Sequence, residues 1–191
     1  MRALWLLSLA LICLVFSGCP AYSVHPLYTD QDAVVEPNLE GTWVGDSDEK
    51  SEFHFKLSGA HQYSLEVSDP NSGRQQNYQV NLVRLGEQLF MDLVFKDQTV
   101  NGTNFDDPLG AISCHIIAKL TISGNDLAYS TLESEPIEMQ NPPETRLTHV
   151  TTEGPLLVTA STEALRRYVS AHVGDGFSDW THLTRKCEIQ L

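Results

Sequence analysis

The chain of 191 residues is short of positive charge: 12 Lys and Arg stand against 25 Asp and Glu, for a formal charge of −13. The only adjacent basic pairs are Arg166-Arg167 and Arg185-Lys186. Nucleic-acid binding draws most of its affinity from a positive surface that displaces phosphate counterions, so a nucleic-acid partner is excluded. Long apolar runs are also missing. The longest, Ala3 to Phe16, is broken only by Ser8 and falls short of the ~20 residues a spanning helix needs. The Gly-x-Ser-x-Gly nucleophile turn, His-Glu-x-x-His and the phosphate-cradling Gly-x-x-x-x-Gly-Lys-Ser/Thr are absent. Nothing calls for a cofactor, and the residues define no catalytic set. What the chain does have is hydrophobic content of 41 %, enough for a packed core.

Arg2, the apolar run and the small residues after it form an export leader over residues 1–18. Its end, Phe16-Ser17-Gly18-Cys19, resembles the lipobox of bacterial lipoproteins, with Phe16 in place of the usual aliphatic residue. The resemblance implies acylation of Cys19 after cleavage, which takes the charge from −13 to −14 as Arg2 leaves. Two or more acyl chains, each methylene contributing ~0.8 kcal/mol, anchor a protein to a membrane without a spanning helix. It also implies a place in the cell envelope, with Pro20 rather than Asp after the cysteine pointing to the outer membrane, facing the periplasm. Cys13 departs with the leader, so Cys114 and Cys187 remain, either as a disulfide suited to an oxidising compartment or as two buried thiols. Residues 19–38 read as a tether, because Pro20, Pro26 and Pro37 forbid a helix, and as a coil they span ~25 Å. Within them Val24-His25-Pro26-Leu27-Tyr28 is apolar enough to dock on the domain.

From 39 to 191 a single mainly β domain is expected. Phe53, Phe55 and Leu57 alternate with Glu52, His54 and Lys56, and Tyr63, Leu65 and Val67 with Ser64, Glu66 and Ser68. The pattern continues through Tyr78, Val80 and Leu82, through Leu89, Met91, Leu93 and Phe95, and through Ile116, Ala118, Leu120 and Ile122. Period two marks strands with one buried and one wet face. Tight-turn residues at Ser58-Gly59, Asp69–Gly73, Gly86-Glu87 and Ser123–Asp126 join them into an antiparallel meander that closes into a barrel or half-open barrel. Lys96–Ser113 and Ser134–Glu144 read as long loops, the second because it holds three prolines. A short late helix starts at Ser161-Thr162-Glu163 and buries Leu165, Tyr168, Val169 and His172 on one face; Trp180 to Lys186 is the last strand.

Gly41-Thr42-Trp43, a late Arg185 and the order strands, helix, strand are similar to the lipocalins and related calycins. That likeness implies a Trp43 floor crossed by the Arg185 guanidinium; the family's middle Thr-Asp-Tyr-type motif is absent. Small uncharacterised envelope lipoproteins share the same outline.

Metal sites find little support. Asp69–Gly73 lacks the spacing and closing glutamate of a calcium loop, and Asp46–Glu49 and Asn104–Asp107 read as solvated acidic loops. His54 and His61 lie on consecutive strands as a surface pair, and His115 and Cys114, being adjacent, point to opposite faces.

Three functions follow. A binding module would hold a small apolar ligand against Phe53, Phe55, Tyr63, Tyr78, Leu89, Met91 and Ile116. An assembly lipoprotein would offer the Lys96–Ser113 loop or an edge strand to an envelope protein. A hydrolase would place its site in the long loops. An open interior of ~300 Å³ or more separates the first from the second.

Overall fold

The computed structural model describes residues 19–46, 51–100, 102–106, 113–139, 147–150 and 156–187. The expected leader at 1–18 and the acidic stretch 47–49 lie outside them. The strands are β1 (Tyr22–Ser23), β2 (Ala33–Val34), β3 (Gly41–Gly45), β4 (Glu52–Leu57), β5 (Gln62–Asp69), β6 (Arg74–Leu85), β7 (Gln88–Val100), β8 (Thr103–Asp106), β9 (His115–Ser123), β10 (Asp126–Thr131), β11 (His149–Val150), β12 (Leu157–Val158) and β13 (Thr181–Arg185). The helices are α1 (Ser134–Met139) and α2 (Thr162–Ala171).

Eight of the strands close an antiparallel barrel. The order is β9-β10-β13-β3-β4-β5-β6-β7, and β7 returns to β9 through Leu89↔Leu120 to Val94↔His115. This is the expected closed antiparallel meander, with β10 as a strand the alternation did not mark, and it is compatible with a lipocalin-like fold. The expected alternation is cleanest in β4 and β5, where Phe53, Phe55, Tyr63, Leu65 and Val67 are buried while His54, Lys56 and Ser64 are exposed. The late helix starts where its residues require: the Ser161 hydroxyl accepts the Ala164 N–H at 3.4 Å, and Leu165, Tyr168 and Val169 are buried.

Four expectations are corrected. Residues 19–38 are not a free tether, because the segment is laid along the barrel. β1 pairs with β9 and, in parallel, with β12, β2 pairs with β6, and Leu27 is fully buried, as docking of the 24–28 stretch requires. Proline bars a helix interior but not an extended strand or the first position of a helical turn, so Pro20 lies in an extended bridge and Pro37 opens a 3-10 turn at Pro37–Leu39. Part of the expected 96–113 loop is a hairpin, with β7 running to Val100 and turning back into β8. Asn104–Asp106 therefore belongs to a strand, and residue 107 lies outside the described residues. The expected loop at 134–144 opens with α1, which tolerates Pro136 because the first turn of a helix needs no N–H donor there.

The fourth concerns Cys114 and Cys187, which are not bridged. β9 and β13 are both antiparallel to β10, so they run in the same direction. Cys114 precedes one and Cys187 follows the other, leaving them at opposite ends of the barrel. The Arg185 N–H donates to the Asn125 carbonyl just beyond β9, so the length of that strand, ~26 Å, lies between the cysteines. A disulfide needs Cα atoms within ~7 Å.

Two apolar cores result. The inner one fills the lumen and includes Trp43, Tyr63, Leu82 and Leu120. The outer one lies between the outward face of β6, β7 and β9 (Val83, Phe90, Ile117) and a cover made of Leu27, Ile137, Leu165, Tyr168 and Val169.

Candidate functional site

The floor of the barrel is built by the Gly-Thr-Trp segment. A 3-10 turn at Pro37–Leu39 leads into β3, and the Trp43 indole N–H donates to the Leu39 carbonyl at 2.9 Å. Arg185 crosses the ring with its guanidinium carbon 4.1 Å from the centroid. Its Nη1 donates to the Glu40 carbonyl at 2.7 Å and its Nη2 to the Asn38 carbonyl. Gly41 has a φ of +122°, and a Cβ there would meet Arg185 Nη1 at 2.7 Å. Its hydrogen is what lets the guanidinium pass. Tyr63 closes the same end, its hydroxyl donating to the Glu36 carbonyl and accepting the Glu36 N–H, both at 3.0 Å.

Above the floor the seven residues read as ligand-lining all lie in the inner core: Phe53, Phe55, Tyr63, Tyr78, Leu89, Met91 and Ile116. Four of them, Phe53, Phe55, Tyr78 and Met91, border the remaining void together with Tyr129 and Leu183. Tyr63, Leu89 and Ile116 are taken up in packing. Leu65, Val67, Leu93 and Ala118 share the inward phase and also line the void, and the alternation already marked them. Tyr129 and Leu183 come from strands whose alternation is short.

The void measures about 20 Å³. One water-sized probe needs ~10–15 Å³, whereas a small-molecule pocket takes ~300 Å³ or more. Among the described residues its wall carries two phenols, Tyr78 and Tyr129, and no carboxylate, imidazole or amine. Burial, reinforced by Tyr22 and Tyr129, raises the Tyr78 phenol, and burial pushes Tyr129 up to about 12. Both stay neutral across the physiological range and offer no base. Toward the mouth the Tyr78 hydroxyl donates to Gln76 Oε1 at 3.3 Å, and Gln76 Nε2 donates to Gln98 Oε1 at 3.1 Å.

Acid–base chemistry is better represented on the outer wall. Asp92, outward on β7, is 1 % exposed, accepting the Leu27 N–H at 2.6 Å on Oδ2 and the His115 Nδ1–H at 2.6 Å on Oδ1. Ser23 faces His115 across the β1–β9 pair, so a serine, a histidine and an aspartate converge. The serine is turned away from nucleophilic use. It is 1 % exposed, and its hydroxyl donates to the His25 carbonyl at 2.7 Å and accepts the His25 N–H at 3.2 Å. A triad needs the nucleophile hydrogen-bonded to the base and open to substrate. Here the three residues brace the N-terminal segment against the barrel. The brace is extended by α2, whose Thr162 hydroxyl donates to the Pro26 carbonyl at 2.8 Å and whose Arg166 pairs with Asp32.

Lys119 sits on the polar phase of β9 yet is only 6 % exposed. Its ammonium donates to the Val173 carbonyl at 2.8 Å and lies 4.7 Å from the Phe177 ring centroid and 4.8 Å from that of Trp180. Among the described residues no group of three or more His, Cys, Asp or Glu is placed to hold a metal ion. His54 bonds Thr42 through Nδ1 at 3.0 Å on the outer surface of β4, away from any such role. Comparison with protein-family models, with curated proteins and with solved structures finds no match.

Proposed function

We propose that this chain is an envelope lipoprotein, acylated at Cys19 and held on the periplasmic side of the outer membrane, whose barrel serves without catalysis as a packed scaffold for another envelope protein. One observation carries the choice of a protein partner over a lumen ligand: the void between Phe53, Phe55, Tyr78 and Met91 measures about 20 Å³ where a small apolar molecule needs ~300 Å³. Ligand binding in the lumen is the second reading, favoured by the apolar wall of the void and weakened by its size.

Export and anchoring rest on the leader and on Phe16-Ser17-Gly18-Cys19. The partner surface is supported by a sheet edge that opens where the β7–β9 seam ends. β6 and β7 stay paired from Leu85↔Gln88 to Arg74↔Val100, but β9 accompanies β7 only as far as Val94. Beyond Val94 β7 exchanges β9 for β8, while β6 stays paired with β5 as far as Asp69↔Arg74, so β8 is the open edge there among the described residues. Asn77 Nδ2 donates to Asp97 Oδ1 at 2.7 Å across the β6–β7 pair, and Gln75 pairs with Thr99 beside it. Behind this polar pairing the outer side of β8, last in the sheet among the described residues, offers strand hydrogen bonds to a partner.

Native mass spectrometry of the protein extracted from its own membrane tests the reading. The expected mass is the chain from Cys19 with acyl groups and no small molecule, and a fluorescent fatty acid titrated into it shows no saturable binding. A stoichiometric co-purifying small molecule overturns the scaffold reading in favour of the lumen ligand. A photo-crosslinking residue at Gln75 or Thr99 is expected to give one discrete protein adduct in the envelope, and the same residue at Lys56 none.

A further inference from the structure

We infer that the acylated barrel lies flush on the bilayer, with Cys19, the start of α1 and Trp180 at the headgroups of a zwitterionic phospholipid surface. This rests on the acylation of Cys19 proposed above and adds to it the geometry that follows.

A lipidated cysteine on a free tether holds its domain away from the membrane, here by ~25 Å for the 19–38 segment as a coil. The fold leaves no such slack. The Cys19 carbonyl accepts the Ser134 N–H at 3.2 Å, Pro20 pairs with Glu133 in an antiparallel bridge, and the Ala21 N–H donates to the Leu132 carbonyl at 2.8 Å. Ala21 and Tyr22 are buried, while Cys19 itself is exposed. The chain between the acylated thiol and the packed domain is therefore the cysteine alone, ~4 Å.

The neighbouring surface follows from the same pairings. The Glu133 N–H donates to the Gly176 carbonyl at 3.1 Å and Leu132 bridges Phe177, so the 176–180 run lies beside the anchor point. Trp180 ends that run and is 40 % exposed, one of three large apolar side chains left in the open among the described residues. An indole with one apolar face and one polar edge suits the headgroup region. The Lys119 ammonium beneath the ring and the cluster of Glu133 with the Glu135 and Asp179 carboxyls near it set the lipid preference. Acidic groups at this face, on a chain of −14 after cleavage, disfavour an anionic leaflet and leave a zwitterionic one.

The mature chain has two tryptophans, Trp43 in the floor and Trp180 at the proposed contact. The full acylated protein is reconstituted into phosphatidylcholine vesicles brominated close to the headgroup, where bromine quenches indole emission at contact distance. The Trp180 emission is expected to be quenched, and Trp180→Phe is expected to remove the quenching while the Trp43 emission persists. A ten-residue Gly-Ser spacer inserted between Cys19 and Pro20 adds a reach of roughly 17 Å and is expected to lower the quenching ~3-fold. Unquenched Trp180 in protein that floats with the vesicles and carries acyl groups by mass overturns the flush geometry, as does quenching that the spacer leaves unchanged. Protein that neither floats nor carries acyl groups overturns the acylation itself, a distinct result.

Discussion

The lumen and the space between the outer wall and its covering helix are both apolar, and one strand serves both. From Leu89 to Val94 every residue of β7 is buried: Leu89, Met91 and Leu93 point into the lumen, Phe90 and Val94 point outward, and Asp92 is sealed among them. β4 and β5 are covered on one side only and keep polar residues on the other. The two interiors are also held differently. The lumen is fixed by shape, with ring pairs such as Phe53–Tyr129 and Tyr78–Phe95 at centroid distances of 6.0 and 5.6 Å. The outer core depends on a few buried polar contacts, because the part of its cover around Leu27 is an irregular segment whose backbone donors need partners. Packing strength and polar bracing are thus separable in this molecule, and substitutions can break one without the other.

The largest effect is expected in the lumen. Phe55 is 2 % exposed and borders the existing void, so Phe55→Ala enlarges it and costs about 4 kcal/mol, read as a fall in the urea midpoint. The same variant is expected to bind a benzene- or xenon-sized apolar probe, the guests a cavity of ~150 Å³ admits, that the parent refuses. If it loses stability without gaining the probe, the lumen has collapsed around the deletion and shape is not what holds it.

Asp92→Ala attacks the outer core. It strands the Leu27 N–H and the His115 imidazole away from water and is expected to cost about 3 kcal/mol. The more informative reading is local. Amide exchange at Leu27 is expected to accelerate while the lumen amides of Leu65 and Val80 stay protected, because the cover loosens before the barrel does. Asp92→Asn retains an acceptor and is expected to lose about half as much. Equal acceleration at all three amides would show the two cores to be one cooperative unit.

What the sequence disclosed follows the same division. Where one face of a strand is wet, alternation gives the inward residues directly, and Phe53, Tyr63 and Tyr78 could be placed by parity alone. The Ser161 cap and the Leu165–Tyr168–Val169 face were legible because both are local. Where both faces are buried, parity misleads: Lys119 and Asp92 occupy positions that alternation assigns to solvent. The apolar 24–28 stretch and the helix face announced a cover, but where it docks was illegible for a different reason. Leu27 is held by Asp92, 65 residues away, and nothing within residues 19–38 announces that contact. Counting cysteines paired Cys114 with Cys187 because the count ignores strand direction, and direction separates them. Gly41 and Arg185 were placed by resemblance, and the close approach of Nη1 to Gly41 supplies the physical reason for the glycine.

Lys119 gives the smallest effect and the finest test of the division. Burial pushes its pKa below the 10.5 of an exposed lysine, so the folded chain binds fewer protons than the unfolded chain between the lowered value and 10.5. Stability rises with pH wherever the unfolded state holds more protons, so the protein is expected to gain stability as pH climbs through the folded pKa toward 10.5, with no further gain beyond. Lys119→Met keeps the length that packs on Phe177 and Trp180 and removes the titration. At neutral pH the lost cation–π contacts and hydrogen bond are offset by the charge that no longer has to be buried, leaving a change within about 1 kcal/mol. The expected signature is a flattened stability profile on the alkaline side, measured by urea unfolding at stepped pH, with the neutral midpoint nearly unchanged. A variant that keeps the alkaline rise would assign the proton to another group and place Lys119 among the solvated side chains after all.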